Sequence, residues 1–240
     1  MLHQSIRSDK QSDNKKDSVW IVIPAYNEEA VIASVIADIR AAGYDNILVV
    51  DDGSKDATFK VAQKSGAVAI RHRLNRGKGA ATKTGIEAAK LLGADIVVTI
   101  DGDGQHNPED IQNLIFPIQN RKADVVLGTR LKDPKGMPWY KIAHNWIGNA
   151  IVWYLYGLWV SDSQSGFRAY SQKAMQMIDT KTDRYEYDSE VIREIRKHRL
   201  KFSEVPIEVR YTEYSMGKLY KQSFLTGIKT VSRMIFHMLK

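Results

Sequence analysis

Three short apolar runs in the first half of the chain each stop at a cluster of polar side chains. Val19-Trp20-Ile21-Val22-Ile23 leads into Pro24-Ala25-Tyr26-Asn27-Glu28. Asn46-Ile47-Leu48-Val49-Val50 leads into Asp51-Asp52-Gly53-Ser54, and Ile96-Val97-Val98-Thr99-Ile100 into Asp101-Gly102-Asp103-Gly104-Gln105-His106. Runs this short and this uniformly apolar read as strands covered on both faces, as in a parallel sheet. The intervals carry helical signals. Glu28 to Ala42 has Val31, Val35 and Ile39 at helical spacing and stops near Gly43. A helix through Lys64, a third strand over Ala67 to Arg71 and a helix over Gly79 to Leu92 follow. The fourth strand covers Asp95 to Ile100. Pro108 to Asn120 reads as a helix with proline in its first turn, and Asp124 to Gly128 as a fifth strand. The expected fold is therefore α/β: a Rossmann-like, mostly parallel sheet with helices on both faces. Ligands of such sheets bind beyond the carboxyl ends of the strands, so the three polar clusters should share one rim.

The chain has 240 residues, no cysteine and a net charge of +7. That length fits one domain. The missing cysteines exclude disulfides, thiolate metal sites and cysteine nucleophiles. The positive balance points to an anionic partner: nucleic acid, phosphate ligands or an anionic membrane surface. No nucleic-acid-binding motif is present. Residues 1–18 are polar and charge-mixed and read as a disordered tail, with no apolar core of a signal peptide. The domain is expected over 19–220.

After Lys132 the character changes. Trp139 to Val160 is dense in aromatics, and Trp146 to Val160 is nearly all apolar, with Asn149 its strongly polar residue. It is too short to span a bilayer. It reads either as a buried core helix or as an interfacial element, for which tryptophan and tyrosine are suited. Residues 221–240 read as an amphipathic helix. Phe224, Ile228, Val231, Ile235 and Met238 recur on one side, and Lys229, Arg233, His237 and Lys240 on another. That pattern suits a helix lying on an anionic membrane, or one packed on the domain with its basic side in water.

Chemistry concentrates at the strand ends. Asp101 and Asp103, with the carboxamide of Gln105, offer hard oxygen ligands of the kind Mg²⁺ or Mn²⁺ takes, with positions left for substrate phosphates. Tyr26 can stack on a base and Glu28 can accept from base or ribose; the plainer alternative is a capped loop, with Asn27 as helix N-cap. Asp51 and Asp52 are adjacent carboxylates at a buried strand end, costly unless compensated. Gly77-Lys78-Gly79 can approach a phosphate but lacks P-loop spacing. Gly102 and Gly104 do not continue into Gly-x-Gly-x-x-Gly, because position 107 is Asn107. Arg130 in Gly128-Thr129-Arg130, Arg168 in Ser165-Gly166-Phe167-Arg168-Ala169-Tyr170, and Lys218 are cationic candidates for phosphate.

Taken in order, these motifs resemble a family 2 glycosyltransferase of GT-A fold, within it the polyprenyl (dolichyl) phosphate sugar synthase branch. They are Pro24 to Glu28, Val50 to Ser54, Asn75-Arg76-Gly77-Lys78-Gly79, Asp101 to His106, Gly128 to Arg130 and Ser165 to Arg168. The resemblance implies inverting transfer of one sugar from a nucleotide diphosphate sugar, GDP- or UDP-linked, to a lipid phosphate. It implies nucleotide-sugar binding by Pro24, Ala25, Tyr26, Glu28, Val50, Asp52, Lys78, Asp101 and Gly102. A metal set of Asp101, Asp103 and Gln105 would bind Mg²⁺ or Mn²⁺. Asp103, Arg130, Arg168 and Lys218 would serve catalysis, the three cations facing the donor and acceptor phosphates. One departure stands out: the branch often has an arginine six residues before the loop lysine, and here that position is Thr212, with Arg210 as a substitute. Transfer to a sugar hydroxyl instead would need a carboxylate base. Asp162, Glu186 and Asp188 keep that alternative open, and a basic nucleic-acid-binding domain is a further one. The expected location is peripheral, on the cytoplasmic face of a membrane, reached directly or through a membrane-anchored partner.

Overall fold

The computed structural model describes residues 17–130, 139–184 and 186–210. Its elements are β1 (Val19–Ala25), α1 (Ile32–Ala41), β2 (Ile47–Asp51), α2 (Thr58–Lys64), β3 (Val68–Arg71), α3 (Lys78–Leu91) and β4 (Ile96–Thr99). After a 3₁₀ turn at Pro108–Asp110 come α4 (Ile111–Gln119), β5 (Val125–Thr129), α5 (Trp139–Tyr156), β6 (Arg168–Ser171), α6 (Gln172–Met177), α7 (Glu186–Lys197) and β7 (Phe202–Pro206).

One seven-stranded sheet runs in the order β3-β2-β1-β4-β6-β5-β7. Strands β1 to β4 are mutually parallel, and β6 is inserted antiparallel between β4 and β5. Alternation along β1 sends its side chains to two cores. Ile21 and Ile23 pack with Ile32, Ile36 and Ile39 of α1 and Leu114 of α4. Val22 packs on the opposite face with Ala89 of α3 and Val191 and Ile195 of α7. The chain leaves β3 at one edge and returns beyond β1 to form β4. This reversal makes the β1/β4 boundary the crevice where such sheets bind ligands.

One expectation needs correction. Helix α1 starts at Ile32, not Glu28, and Asn27 does not cap it; Asn27 adopts a left-handed conformation (φ 54°) in the loop. In the Ser165–Tyr170 motif Arg168 opens β6. The aromatic segment is buried on one side and exposed on the other. Val152, Asn145 and Asn149 are buried, while Trp146, Ile147, Trp153, Tyr154 and Trp159 are exposed. Trp159 makes edge contacts with Trp146 and Trp153 at 6.2 and 6.3 Å. No helix among the described residues is long and apolar enough to cross a membrane. The tail before residue 17, Thr212, Lys218 and the amphipathic segment 221–240 lie outside the described residues.

Candidate active site

The loops after β1 and β2 are stitched together by backbone N–H groups and short side chains. Asn27 N–H donates to Ser54 Oγ at 2.9 Å, and Asn27 Oδ1 accepts from Lys55 N–H at 2.9 Å. Glu28 N–H donates to Thr58 Oγ1 at 2.8 Å. Tyr26 remains 39% exposed at the rim, available for stacking. Pro24 and Ala25 close β1 opposite Val50 and Asp51 in register.

The paired aspartates have separate tasks. Asp51 accepts from Ser54 N–H at 2.9 Å and faces Arg71 Nε at 3.1 Å. Asp52 accepts from the N–H of Arg76 at 3.0 Å and of Gly77 at 2.7 Å, and its Oδ1 meets His72 Nδ1 at 2.7 Å. His72 Nε2 in turn meets Thr84 Oγ1 at 3.0 Å. These bonds offset the cost of burying the carboxylate. They also tie the loop entering α3 to the end of β2. Gly53 makes the approach possible: it has φ 73°, and a Cβ there would lie 2.7 Å from the Leu74 carbonyl carbon. His72 was not among the residues singled out in sequence, because a lone histidine after a strand carries no local signal.

At the crevice, Gly102 lies against β1; a Cβ on it would stand 3.3 Å from the Pro24 carbonyl oxygen. Lys78, the first residue of α3, places Nζ 2.7 Å from Asp101 Oδ1 and 3.7 Å from Asp188 Oδ2. His106 Nε2 is 3.5 Å from Asp101 Oδ2, and its ring packs on Phe167 at 5.0 Å. Burial pushes the Asp101 carboxyl up, but the Lys78 ammonium and then His106 outweigh it and hold the group well below the usual carboxylate range. Asp103 goes the other way. Burial, reinforced by the neighbouring Asp101 charge, raises it, although Gln105 N–H donates to its Oδ1 at 3.1 Å.

Asp101, Asp103 and Gln105 suit a hard divalent cation in donor chemistry. Asp103 is a half-buried carboxylate whose ionised form is disfavoured by the Asp101 charge beside it, and His106 Nδ1 is buried without a hydrogen-bond partner. Among the described residues no group of three or more histidines and acids forms a closed cage. A cation here would complete its shell with water and substrate oxygens, as Mg²⁺ commonly does.

The second half of the rim is built from charge pairs. Arg130 forms a bidentate pair with Asp162, Nε to Oδ2 at 2.7 Å and Nη2 to Oδ1 at 2.8 Å, and its N–H donates to Oδ2 at 3.1 Å. Burial raises the Asp162 carboxyl, but the Arg130 hydrogen bonds and charge win and hold it below its ordinary value. Neighbouring Ser161 donates N–H and Oγ–H to Glu204 Oε1 at 2.6 and 2.8 Å. Asn149 of α5 donates to the Ser161 carbonyl and accepts from Ser163 N–H. The aromatic helix is thus bolted to the segment that holds Arg130.

Arg168 departs from expectation. It is fully buried, and its guanidinium donates to the carbonyls of Ser165 (2.8 Å), Asp188 (2.9 Å) and Ser163 (2.9 Å). It holds segment 163–166 in place from below and does not present its fork to the rim. Thr99 Oγ1 adds a bond to the Gly166 carbonyl at 2.7 Å. A Cβ at Gly166 would collide with Lys78 Nζ and come within 2.9 Å of Asp101 Oδ1. Arg210 lies beside the acidic loop: its N–H donates to the Gln105 carbonyl at 2.7 Å and its Nη2 to Asn107 Oδ1 at 2.7 Å. The chain leaving β7 thus returns to the crevice.

A mostly parallel sheet with an antiparallel insertion and an acidic loop at its crevice is the architecture of a GT-A fold. The sequence profile of glycosyl transferase family 2 matches residues 20–178, and the chain belongs to that family. An uncharacterised protein of Methanocaldococcus jannaschii is 43% identical, with 92% of each chain covered. A UDP-N-acetylglucosamine–dolichyl-phosphate N-acetylglucosaminyltransferase of Methanococcus voltae is 40% identical, covering 90% of this chain and 94% of that protein. Glucosyl-3-phosphoglycerate synthase of Mycobacterium tuberculosis, solved with UDP, shares the fold. Its TM-score is 0.70 at 24% identity, over 93% of this chain and 79% of that one. The same enzyme has been solved with Mn²⁺ and UDP-glucose, with a TM-score of 0.65 at 24% identity over 93% of this chain and 78% of that one.

Proposed function

We propose that this glycosyltransferase moves one sugar, with inversion, from a nucleotide diphosphate sugar to a polyprenyl (dolichyl) phosphate. The observation that carries the reading is the pairing of the second-rim carboxylates with cations. Asp162 is clasped by Arg130, and Asp188 lies between Arg168 and Lys78. A sugar hydroxyl needs a carboxylate ready to take its proton. A phosphate acceptor is already anionic and needs cations instead. The 40% identical dolichyl-phosphate transferase supports the same acceptor class and puts UDP-N-acetylglucosamine first among donors to try.

In this reading Tyr26, Glu28 and the Pro24–Ala25 turn receive the nucleoside, with Val50, Asp52 and Gly102 shaping its floor. Asp101, Asp103 and Gln105 hold Mg²⁺ or Mn²⁺. When bound, the cation supplies Lewis-acid stabilisation of the departing diphosphate. Lys78 adds a fixed positive charge beside it. Arg130 and Lys218 are the cations assigned to the acceptor phosphate, and Arg168 acts through the segment it supports.

The lipid tail sets the location. The basic residues recurring through the sequence of 221–240 and the exposed aromatics of α5 both suit the interface of an anionic membrane, here its cytoplasmic face, where nucleotide sugars are made. Each basic residue at such a surface contributes about 1 kcal/mol, so Lys229→Gln with Arg233→Gln should weaken liposome binding roughly 30-fold. Co-sedimentation with anionic vesicles at low salt measures this.

The deciding experiment offers UDP-N-acetylglucosamine, UDP-glucose and GDP-mannose, each radiolabelled, with Mn²⁺ and both polyprenyl phosphate and a lipid-linked saccharide as acceptors. The expected product is a labelled glycolipid. Label passing instead to a saccharide hydroxyl, with none in the lipid phosphate, overturns the reading.

A further inference from the structure

The ammonium of Lys78 occupies a position that a cation at Asp101 would contest. It sits 2.7 Å from Asp101 Oδ1 with a second carboxylate, Asp188 Oδ2, 3.7 Å away on another element. Its backbone is not at liberty to move. Gly77 N–H is held by Asp52, and Ala80 N–H donates to the Asp183 carbonyl at 3.0 Å. Gly79 is packed so closely on α7 that a Cβ would lie 2.6 Å from Tyr187 Cβ. Nζ already lies 3.7 Å from Asp188 Oδ2, so a transfer from Asp101 to Asp188 is a short one. Gly166, with no Cβ, leaves the space this side chain occupies.

A divalent ion bound to Asp101 would repel an ammonium left at hydrogen-bonding distance from the same carboxylate. Asp188 is the nearest alternative counter-charge. We propose that Lys78 is a built-in counter-ion of Asp101, displaced to Asp188 when a divalent cation takes that carboxylate. The proposal rests on the cation reading of Asp101 and Asp103 above. It assigns Asp188 a positioning role: it receives the lysine and so lowers the cost of loading the cation. A consequence is ordered loading. Without nucleotide the lysine competes with the cation, and a diphosphate, offering anionic oxygens to both, removes the competition.

The test is Mn²⁺ affinity of the full chain without nucleotide, read by electron paramagnetic resonance of the unbound ion. Lys78→Met should bind Mn²⁺ about 10-fold more tightly than wild type, a coupling of ordinary size between two sites. Asp188→Asn should bind it several-fold more weakly, because the lysine is then left with Asp101. In the double variant the Asp188 effect should vanish. Lys83→Met removes a charge from the same helix, where Lys83 pairs with Asp183 at 2.6 Å, and should leave affinity unchanged. Circular dichroism checks folding of each variant. If Asp188→Asn does not fold, Lys78→Met against Lys83→Met still decides the competition. No gain in Lys78→Met, or an equal gain in Lys83→Met, overturns the proposal. An Asp188 effect that persists in the double variant overturns the receiving role. Failure of wild type to bind Mn²⁺ even with UDP present would instead sink the cation reading itself.

Discussion

The two halves of the rim solve the problem of buried charge in different ways. In the half formed by β1 to β3, carboxylates are satisfied mainly by backbone N–H groups of neighbouring loops. Asp52 holds Arg76 and Gly77, and Asp51 holds Ser54. In the half formed by β5 to β7, charged side chains satisfy one another, as Arg130 and Asp162 do. The first arrangement makes a stiff floor of set shape, suited to a ligand with a fixed outline such as a nucleoside. The second stores positive charge in pairs. Asp101 lies where the two meet, with a lysine from the first half and a buried arginine supporting the second.

The largest expected effect falls on this junction. Asp103→Ala should lower sugar transfer by roughly 100- to 1,000-fold, the scale of removing one electrostatic stabiliser of a developing charge. Its melting temperature should not fall, since it removes a carboxylate that burial already disfavours. Excess chelator should reproduce the loss in wild type, reversed by Mn²⁺; full activity in chelator would break the assignment.

The paired half should be the more fragile to single deletions. Arg130→Ala leaves Asp162 buried without its guanidinium and should cost about 3 kcal/mol of stability. Urea unfolding beside transfer kinetics should show both falling. A variant as stable as wild type would mean that the pair does not hold this half together.

In the stitched half, Asp52→Asn turns one acceptor oxygen into a donor facing an N–H of the 76–77 loop. About 2 kcal/mol is expected from the unmet hydrogen bond. Because the loop is misplaced, nucleotide affinity by calorimetry should fall with it, while Arg130→Ala should spare nucleotide binding. If both variants lose nucleotide affinity equally, the division between the halves fails.

The smallest effect is in acid. Asp162 has a folded-state pKa below its unfolded one, so it stabilises the fold fully above the unfolded value of about 3.9. That contribution is lost as pH falls from there through the lowered folded value. The wild-type minus Asp162→Asn difference in urea midpoint should be flat from neutral pH to about pH 5 and shrink below about pH 4. A difference that grows on acidification would contradict the pairing.

The first half was legible because its signals are local. An apolar run, a polar stop and a glycine lie next to one another in the chain, and burial on both faces of a parallel strand leaves a continuous apolar record. Val19–Ile23, Asn46–Val50 and Asp95–Ile100 were therefore found within a residue or two of β1, β2 and β4. The acidic loop stood out for the same reason, as did the family. The second half was harder. β6 has four residues, begins with arginine and alternates with nothing a periodicity can register.

Sequence alone thus determined the α/β class, the position of the strand ends and the chemistry available at them. Tertiary structure decided which charges meet. Asp162, read from sequence as a base for a hydroxyl acceptor, became the partner of an arginine 32 residues away. Arg168, read as a phosphate clamp, turned inward to three carbonyls because β6 is inserted antiparallel next to β4 and buries its first residue. His72 acquired a role only when β3 docked beside β2 and set it against Asp52. Residue type and spacing record whether a side chain can be charged or buried. The partner that makes a buried charge tolerable comes from distant segments, and the folded chain alone brings them within hydrogen-bonding distance.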